Sequence, residues 1–255
     1  MALQPIEFYD ALAQDYHLLF ADWEFSVDRQ ASIVDALLSS RRPGRGTVLD
    51  CACGIGTQAL GLAHLGWRVH ATDLSPASVA RAAREAAARD IALTTGVADM
   101  RRLGESVRGS FDAVICCDNS IAHMTSDEDL RAAVAGMRDR LVPGGVLLVT
   151  LRDYDALRAS RPVFAAQRFH AAPSGRIVVF QVWEWSADGS HYVANHFMVR
   201  EGPGGWNTAH RTAQFRALLR RDLEGVLREA GLVEVRWHAP AETGYHQPAV
   251  TALRP

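Results

Sequence analysis

Lysine is absent from this chain: all 27 basic residues among its 255 are arginine. A GC-rich genome explains that bias better than 27 separate functional choices, so arginine abundance by itself marks no site. Neither sign of charge dominates, since 29 acidic residues against 27 basic ones leave a formal charge of -2. Such a balance gives no electrostatic footprint for nucleic acid or for an anionic membrane surface. No segment reaches the about 18 consecutive apolar residues of a membrane span, and the first residues lack the basic-then-apolar pattern of a secretory signal. The expectation is a cytoplasmic protein with neither nucleic acid nor membrane as partner. Cysteine is scarce too, with four residues arranged as Cys51/Cys53 and Cys116/Cys117. C-x-C and C-C spacings suit neither a zinc knuckle nor a disulfide framework. At the ends of predicted buried strands these residues read as small apolar filler, and no metal site is expected.

What is present is a chain long enough for one substantial core with a small inserted subdomain. Apolar spacing through Phe8, Leu12, Tyr16 and Leu19, then through Val27, Ile33, Val34 and Leu37, predicts two N-terminal helices. Strands are predicted at 47–50, 68–72, 92–96, 111–116 and 145–151, with helices at 57–65, 76–89 and 127–141 between them. Ser75-Pro76 starts one of those helices, serine as cap and proline in the first turn. Repeated strand-helix units imply an α/β fold with a Rossmann-like, doubly wound parallel sheet. Beyond Leu151 the rhythm changes. Residues 176–201 read as two long strands around a turn at Asp188-Gly189, with a third near 206–210, and together they form an antiparallel β insertion. A helix at 215–230 and strands at 232–237 and 248–253 complete the pattern. The organisation expected is a single unit, 1–255: helical cap at 1–40, cofactor-binding core at 47–151, lid at 160–212, and a C-terminal helix and strands at 213–255.

The most informative stretch is VLDCACGIGTQAL, 48–60, followed by RVHATDLS, 68–75. An apolar strand ends in Asp50, a turn built from Ala52, Gly54 and Gly56 opens a helix, and the next strand ends in Asp73. Small residues in that turn let backbone approach a ligand closely. Asp73 is placed to accept hydrogen bonds from a ribose diol. A dinucleotide site would read G-x-G-x-x-G and offer helix N–H groups to a pyrophosphate, but Gly54-Ile55-Gly56 is followed by Thr57-Gln58-Ala59, and the Asp50 carboxylate would repel a phosphate. That acid suits a cationic ligand. The pattern resembles the first two motifs of class I S-adenosylmethionine-dependent methyltransferases, with Ala52 in place of their first glycine. The resemblance implies their seven-stranded sheet, S-adenosyl-L-methionine as cofactor, S-adenosyl-L-homocysteine as product, and Leu74 and Cys116 among the cofactor contacts. It further implies that Asp99 holds the adenine amino group with Met100 packed on the ring. From the residues alone, Asp99 also fits a helix N-cap.

Residues 111–124, FDAVICCDNSIAHM, deliver Asp118, Asn119 and His123 to the carboxyl edge of the sheet, where ligands bind in open α/β folds. This stretch, with the RDYD run at 152–155, the YHLLFADWEFSVDRQ opening and the closing GYHQPAVTALRP, resembles the glycine and glycine/sarcosine N-methyltransferases over most of the chain. That family implies that Asn119 and Arg152 grip a substrate carboxylate, that Tyr16 lies near the sulfonium, that Trp23 lines the pocket, that Arg29 meets the methionine carboxylate, and that Tyr245 approaches the substrate. The chemistry of each residue agrees: aromatic faces and phenolic oxygens stabilise a sulfonium, and a guanidinium clasps a carboxylate with two parallel bonds. Plainer readings stay open beside these. Arg152 also suits pairing with Asp153 or Asp155, Asn119 a turn, His123 either a general base or a structural hydrogen bond, and Tyr16 and Trp23 ordinary helix packing. Trp183 and Trp185 share one face of a lid strand, which is either core or the wall of the acceptor pocket where Trp183 would meet the substrate, and Glu184 takes the other. The family would place tyrosine at Phe215, and losing that hydroxyl makes the acceptor pocket less polar.

Three functions follow. The first is N-methylation of a small-molecule acceptor such as glycine, sarcosine or a related amino acid. The second keeps the cofactor but methylates oxygen or carbon in a larger, less polar metabolite; for carbon, His123 or Glu184 would be the base. The third is binding of S-adenosylmethionine without turnover. Homo-oligomerisation stays open.

Overall fold

The first strand is four residues long, TVLD, and its last three side chains are buried; the run signals a strand covered on both faces. A computed structural model describes residues 5–172 and 175–255, so residues 1–4 of the expected cap and 173–174 of the expected lid lie outside the described residues. The chain begins with α1 (Pro5–Leu12), a 3₁₀ turn at Tyr16–Leu19 and α2 (Trp23–Arg41). Then come β1 (Thr47–Asp50), α3 (Thr57–His64), β2 (Arg68–Asp73), α4 (Pro76–Ala88), β3 (Thr94–Val97), α5 (Leu103–Ser106), β4 (Phe111–Cys116), α6 (Asp127–Asp139) and β5 (Leu141–Thr150). Short 3₁₀ turns at Met100–Arg102 and Ser120–His123 follow β3 and β4. Beyond α7 (Tyr154–Ser160) run β6 (Phe164–Ala172), β7 (Gly175–Trp185), β8 (His191–Gly202) and β9 (Gly205–Arg216). The chain closes with α8 (Arg220–Glu229), β10 (Val233–His238), α9 (Pro240–Thr243) and β11 (Ala249–Leu253).

Seven strands form one sheet in the order β10-β11-β5-β4-β1-β2-β3. Strands β3, β2, β1, β4 and β5 are parallel, whereas β11 runs antiparallel to β5 and to β10. Strand order reverses at β1 and β4, so the crevice at their carboxyl ends is the switch point of a doubly wound sheet. Local caps set the helix starts. Ser75 accepts from the Ser78 N–H at 3.0 Å with Pro76 in the first turn, and Ser126 accepts from Asp129 at 3.0 Å.

The second sheet is antiparallel, β6-β7-β8-β9. Its central turn is the expected one, with Gly189 at φ +69° and the Asp188 carboxylate accepting from the Ser190 N–H at 3.1 Å. Burial alternates along the strands: Gln181, Trp183, Tyr192, Ala194, His196, Ala213 and Phe215 point inward.

Three local expectations need correction. The first helix stops at Leu12 and resumes only as the 3₁₀ turn holding Tyr16. The helix expected from Phe215 starts at Arg220, because β9 pairs with β8 residue by residue as far as Arg216, with Tyr192 opposite Phe215. Leu141 belongs to β5, opposite Phe111, and not to the helix before it. Strand β6 and helix α7 carry too little apolar periodicity to be foreseen.

Helix α1 ties the layers together. The Asp10 carboxylate accepts from the Ser75 hydroxyl and the Ala77 N–H at the N-terminus of α4, and Phe8 sits edge-on to His196 of β8 at 6.1 Å.

Candidate active site

Asp50 ends β1 with no exposed surface. One carboxylate oxygen accepts weakly from the Ala52 N–H at 3.3 Å; the other is buried with no hydrogen-bond partner among the described residues. Burial, with the negative charges of Asp73 and Asp118 nearby, pushes its pKa up to about 8. A buried acid in that state is completed by a cation that donates a hydrogen bond. Above it the turn passes through Gly54 at φ +53° and Gly56 at φ +96°. A Cβ at Gly54 would meet nothing within 4 Å, so the backbone there faces open space; one at Gly56 would come within 3.1 Å of Leu60. The Gly54 N–H donates to Asp73 at 2.8 Å and the Ser75 N–H to its other oxygen at 2.9 Å. Burial raises the Asp73 pKa against the pull of those donors.

A cavity of about 450 Å³ opens here, lined among others by Tyr9, Tyr16, Ala52, Gly54, Asp73, Leu74, Asp99 and Met100. That volume suits a nucleoside-sized ligand. Asp99 is both lining residue and cap: it accepts from the Arg101 N–H at 2.9 Å and pairs with the Arg101 guanidinium at 2.6 Å. Burial would raise its pKa, but the bonds from Arg101 outweigh it and hold the carboxylate below its usual range. Donors and acceptors therefore fit S-adenosylmethionine: a lone buried carboxylate oxygen for its ammonium, Asp73 for a diol, and a glycine turn with room for backbone approach.

The acceptor side is built where β4 and β5 end. Asp118 and Asn119 follow one another in left-handed conformations, φ +54° and +72°, a strain that only short polar side chains relieve. Thr150 fixes both through the Asp118 N–H (2.8 Å) and Asn119 N–H (3.1 Å). The Asn119 side-chain carbonyl accepts from the Arg152 N–H at 3.1 Å, and its buried amide nitrogen has no partner among the described residues. Arg152 donates to the Tyr192 hydroxyl at 2.6 Å and lies 4.8 Å from the Trp183 ring and 5.7 Å from Phe215. Asp153 and Asp155 pair instead with Arg220, at 2.8 and 3.6 Å, which removes the surface ion pair as an explanation of Arg152. The groups acting on its charge are the phenols of Tyr192, Tyr154 and Tyr9.

His123 is not placed as a base. Its Nδ1 lies 3.2 Å from the Gln214 carbonyl and its Nε2 2.8 Å from the Tyr9 hydroxyl. A carbonyl only accepts, so Nδ1 carries the proton and the Nε2 lone pair is taken up by Tyr9. Burial, reinforced by Arg152, lowers its pKa to about 4.

Asn119, Arg152 and Trp183 gather beside the cavity without lining it, and five further residues lie away from it. Glu184 is exposed on the outer face of β7, accepting from Asn195 at 3.0 Å, because strand parity turns it away from Trp183. Arg29 is exposed and donates to the Gly244 carbonyl. Cys116 is sealed inside the sheet, and Cys51 takes the lining position. Trp23 lies behind the cofactor turn, donating to Thr57 at 2.9 Å beneath Arg89. Tyr245 is buried in a polar cluster, 2.6 Å from Asp118 and 2.9 Å from Gln30, with Gln58 donating to Asp118 at 2.9 Å. All four cysteines are free and buried. The sequence pattern points to Asp118 at the carboxyl edge but not to Tyr9 or Gln214. Tyr9 falls at helical spacing from Leu12 and Tyr16, whereas Gln214 acts through its backbone, which no side-chain pattern signals.

Residues 48–145 match the family described as methyltransferase domain. Over 136 residues the chain is 38% identical to a glycine/sarcosine N-methyltransferase of Parasynechococcus marenigrum, covering 53% of this chain and 48% of that protein. Over 122 residues it is 34% identical to a dTDP-3-amino-3,4,6-trideoxy-alpha-D-glucopyranose N,N-dimethyltransferase of Streptomyces venezuelae, covering 47% and 48%. The chain spans about half the length of the curated relatives it matches. A sugar N-methyltransferase from Streptoalloteichus shares the fold through both sheets, with a TM-score of 0.76 at 23% identity over 94% of this chain and 92% of that one. Among the described residues, no helix is long and apolar enough to cross a membrane.

Proposed function

We propose that this chain, whose residues 48–145 are a methyltransferase domain set in the class I S-adenosylmethionine-dependent fold, methylates the amine of a small molecule. The carrying observation is the buried Asp50 oxygen, without a partner among the described residues and next in the chain to Cys51 and Ala52 of a cavity lined also by Asp73, Asp99 and two tyrosines. S-adenosylmethionine, when bound, supplies a methyl group on a sulfonium, and transfer is an in-line displacement that asks the protein for position more than for chemistry. In this reading Asp50 holds the ammonium, Asp73 the ribose hydroxyls and Asp99 the adenine edge, with Ala52, Gly54, Gly56, Leu74 and Met100 shaping the walls. Tyr9 and Tyr16 present aromatic faces and phenolic oxygens to the cationic centre while excluding water. Burial keeps both phenols protonated, raising their pKa values well above the ordinary tyrosine value.

The acceptor is a neutral amine bearing a carboxylate, in the manner of glycine or sarcosine. Its carboxylate would lie on the Arg152 guanidinium, which donates to the Tyr192 hydroxyl, and on the Asn119 amide nitrogen, which has no partner among the described residues. Because the His123 lone pair is occupied, the amine loses its proton to solvent before it is enclosed. His123 is then a positioning residue for Tyr9. The aromatic wall of Trp183, Tyr192 and Phe215 around Arg152 favours a second reading, an amino sugar or similar bulkier amine. The test is release of S-adenosylhomocysteine by purified protein with glycine, sarcosine and an amino sugar as separate acceptors. Turnover with glycine or sarcosine is expected. Turnover confined to the amino sugar moves the acceptor class, and cofactor binding without turnover on any amine overturns methylation of amines.

A further inference from the structure

Asp118 and Asn119 both hold left-handed backbone, φ +54° and +72°, which only glycine adopts without strain. On one side β5 fixes them, since Thr150 takes both of their N–H groups. On the other side the Asp118 carboxylate enters a cluster of three buried polar residues: Gln30 of α2, Gln58 of α3, and Tyr245 between α9 and β11. Counting hydrogens shows who serves whom. Gln58 Nε2 has two, with Gln30 Oε1 at 2.6 Å, Asp118 Oδ2 at 2.9 Å and the Tyr245 oxygen at 3.1 Å. The two shortest contacts take them. The single Tyr245 hydrogen has Asp118 Oδ1 at 2.6 Å and Gln30 Oε1 at 2.9 Å. Because Gln58 already serves the Gln30 oxygen, the phenol donates to Asp118. Both Asp118 oxygens are thus held by buried donors, and His246 Nε2, 3.3 Å from Oδ1, closes the cluster toward the surface. None of these side chains lines the cavity.

We propose that Tyr245 is a positioning residue for the acceptor: its hydroxyl holds Asp118, and through it the strained pair 118–119, so that Asn119 and Arg152 stay aimed at the acceptor carboxylate. The inference rests on the reading of those two residues given above. Its path is short. The Asn119 side-chain carbonyl accepts from the Arg152 N–H at 3.1 Å, so a shift of the pair is passed to both donors. Strained backbone persists only where its surroundings over-determine it. Here Thr150 fixes the main chain and the Tyr245 hydroxyl, with Gln58, fixes the side chain. Gln58 is the second residue of α3, which opens directly from Gly56. The same cluster therefore ties the cofactor turn to the acceptor loop. A phenylalanine at 245 fills the same space, but only the hydroxyl reaches Asp118.

Tyr245→Phe in the full chain tests this. With glycine or sarcosine, the acceptor KM is expected to rise about tenfold while kcat stays within about twofold. Calorimetric affinity for S-adenosylhomocysteine is expected to stay within about twofold of the wild type. Amide hydrogen exchange should quicken across residues 117–124 and stay unchanged in β1 and β2. Asp118→Gly supplies the second arm. Glycine takes the left-handed backbone without a tether, so adding Tyr245→Phe to that variant is expected to change KM by less than about twofold. A tyrosine that only fills space would cost the same in both backgrounds, and that result overturns the proposal. So does exchange at 117–124 at the wild-type rate, or an equal loss of acceptor and cofactor affinity. A wild type that turns over none of the amines overturns the acceptor reading alone; exchange at 117–124 still decides whether Tyr245 holds the pair.

Discussion

Arg152 holds its charge in a half-buried aromatic enclosure, and among the described residues its guanidinium donates to a neutral phenol, that of Tyr192. A guanidinium so placed is incomplete without an anion, and the Asn119 amide beside it is incomplete in the same sense. Arg152→Gln therefore separates acceptor classes. With a carboxylate-bearing amine, kcat/KM is expected to fall by an equivalent of about 2–5 kcal/mol; with an uncharged amine it should change little. Cofactor affinity, followed by calorimetry, should stay at the wild-type value in both cases. Loss of cofactor binding would instead assign Arg152 to holding up the fold. At this scale the sequence was readable where a residue sits at a strand's carboxyl end, as Asp50, Asp73, Asn119 and Arg152 do, because topology alone brings those ends together. It was not readable where long-range packing chooses the face. Cys116 and Cys51 are alike as sequence, and only the sheet decides which of them reaches the cavity. Arg29 carries the right chemistry but projects from the outer side of α2.

Helix α1 is the element that joins the cavity wall to both sheets. It contributes Tyr9 to the cavity wall, Asp10 to the N-terminus of α4 and Phe8 to the second sheet, yet it is only eight residues long and too short to persist without tertiary contacts. Tyr9→Phe removes the bond to His123 and leaves a buried ring nitrogen unsatisfied, a cost of about 1–3 kcal/mol. The expected outcome is faster hydrogen exchange across residues 5–12 and weaker cofactor binding by about tenfold, with exchange in β1 and β4 unchanged. Unchanged exchange in α1 would show that the Asp10 and Phe8 contacts suffice to hold it. Element boundaries were legible in the parallel core, where caps and buried apolar runs agree. They failed at Phe215, since FRALLR reads equally as the start of a helix, and pairing with β8 decides for a strand.

Buried ionisable groups set the stability of the whole molecule against pH, and their signs oppose. His123 and His196 are held neutral, each with its pKa lowered by burial to about 4. Each binds a proton in the unfolded chain near pH 6.5 that it refuses in the folded one. Both therefore make stability rise as pH climbs from about 4 to about 6.5, and His17, His70 and His238 are lowered in the same direction. Asp50, raised to about 8, does the reverse. The folded chain keeps a proton that the unfolded chain releases above about pH 4, so this contribution is full in acid and drains away as pH rises to about 8. Asp73 is raised in the same sense. The histidines outnumber the aspartates below pH 6.5 and fall silent above it, which predicts a thermal-stability maximum near that value and a decline toward pH 8. Asp50→Asn should keep the acid limb and flatten the alkaline one. Saturating S-adenosylmethionine should flatten it too, because an ammonium beside Asp50 favours the ionised carboxylate, and binding should release a proton near neutral pH. Calorimetric melting of wild type and Asp50→Asn between pH 5 and 8.5, with and without the cofactor, reads all of this. A wild-type melting temperature that goes on climbing above pH 7 would mean that Asp50 is already ionised in the free protein, with a partner other than the cofactor.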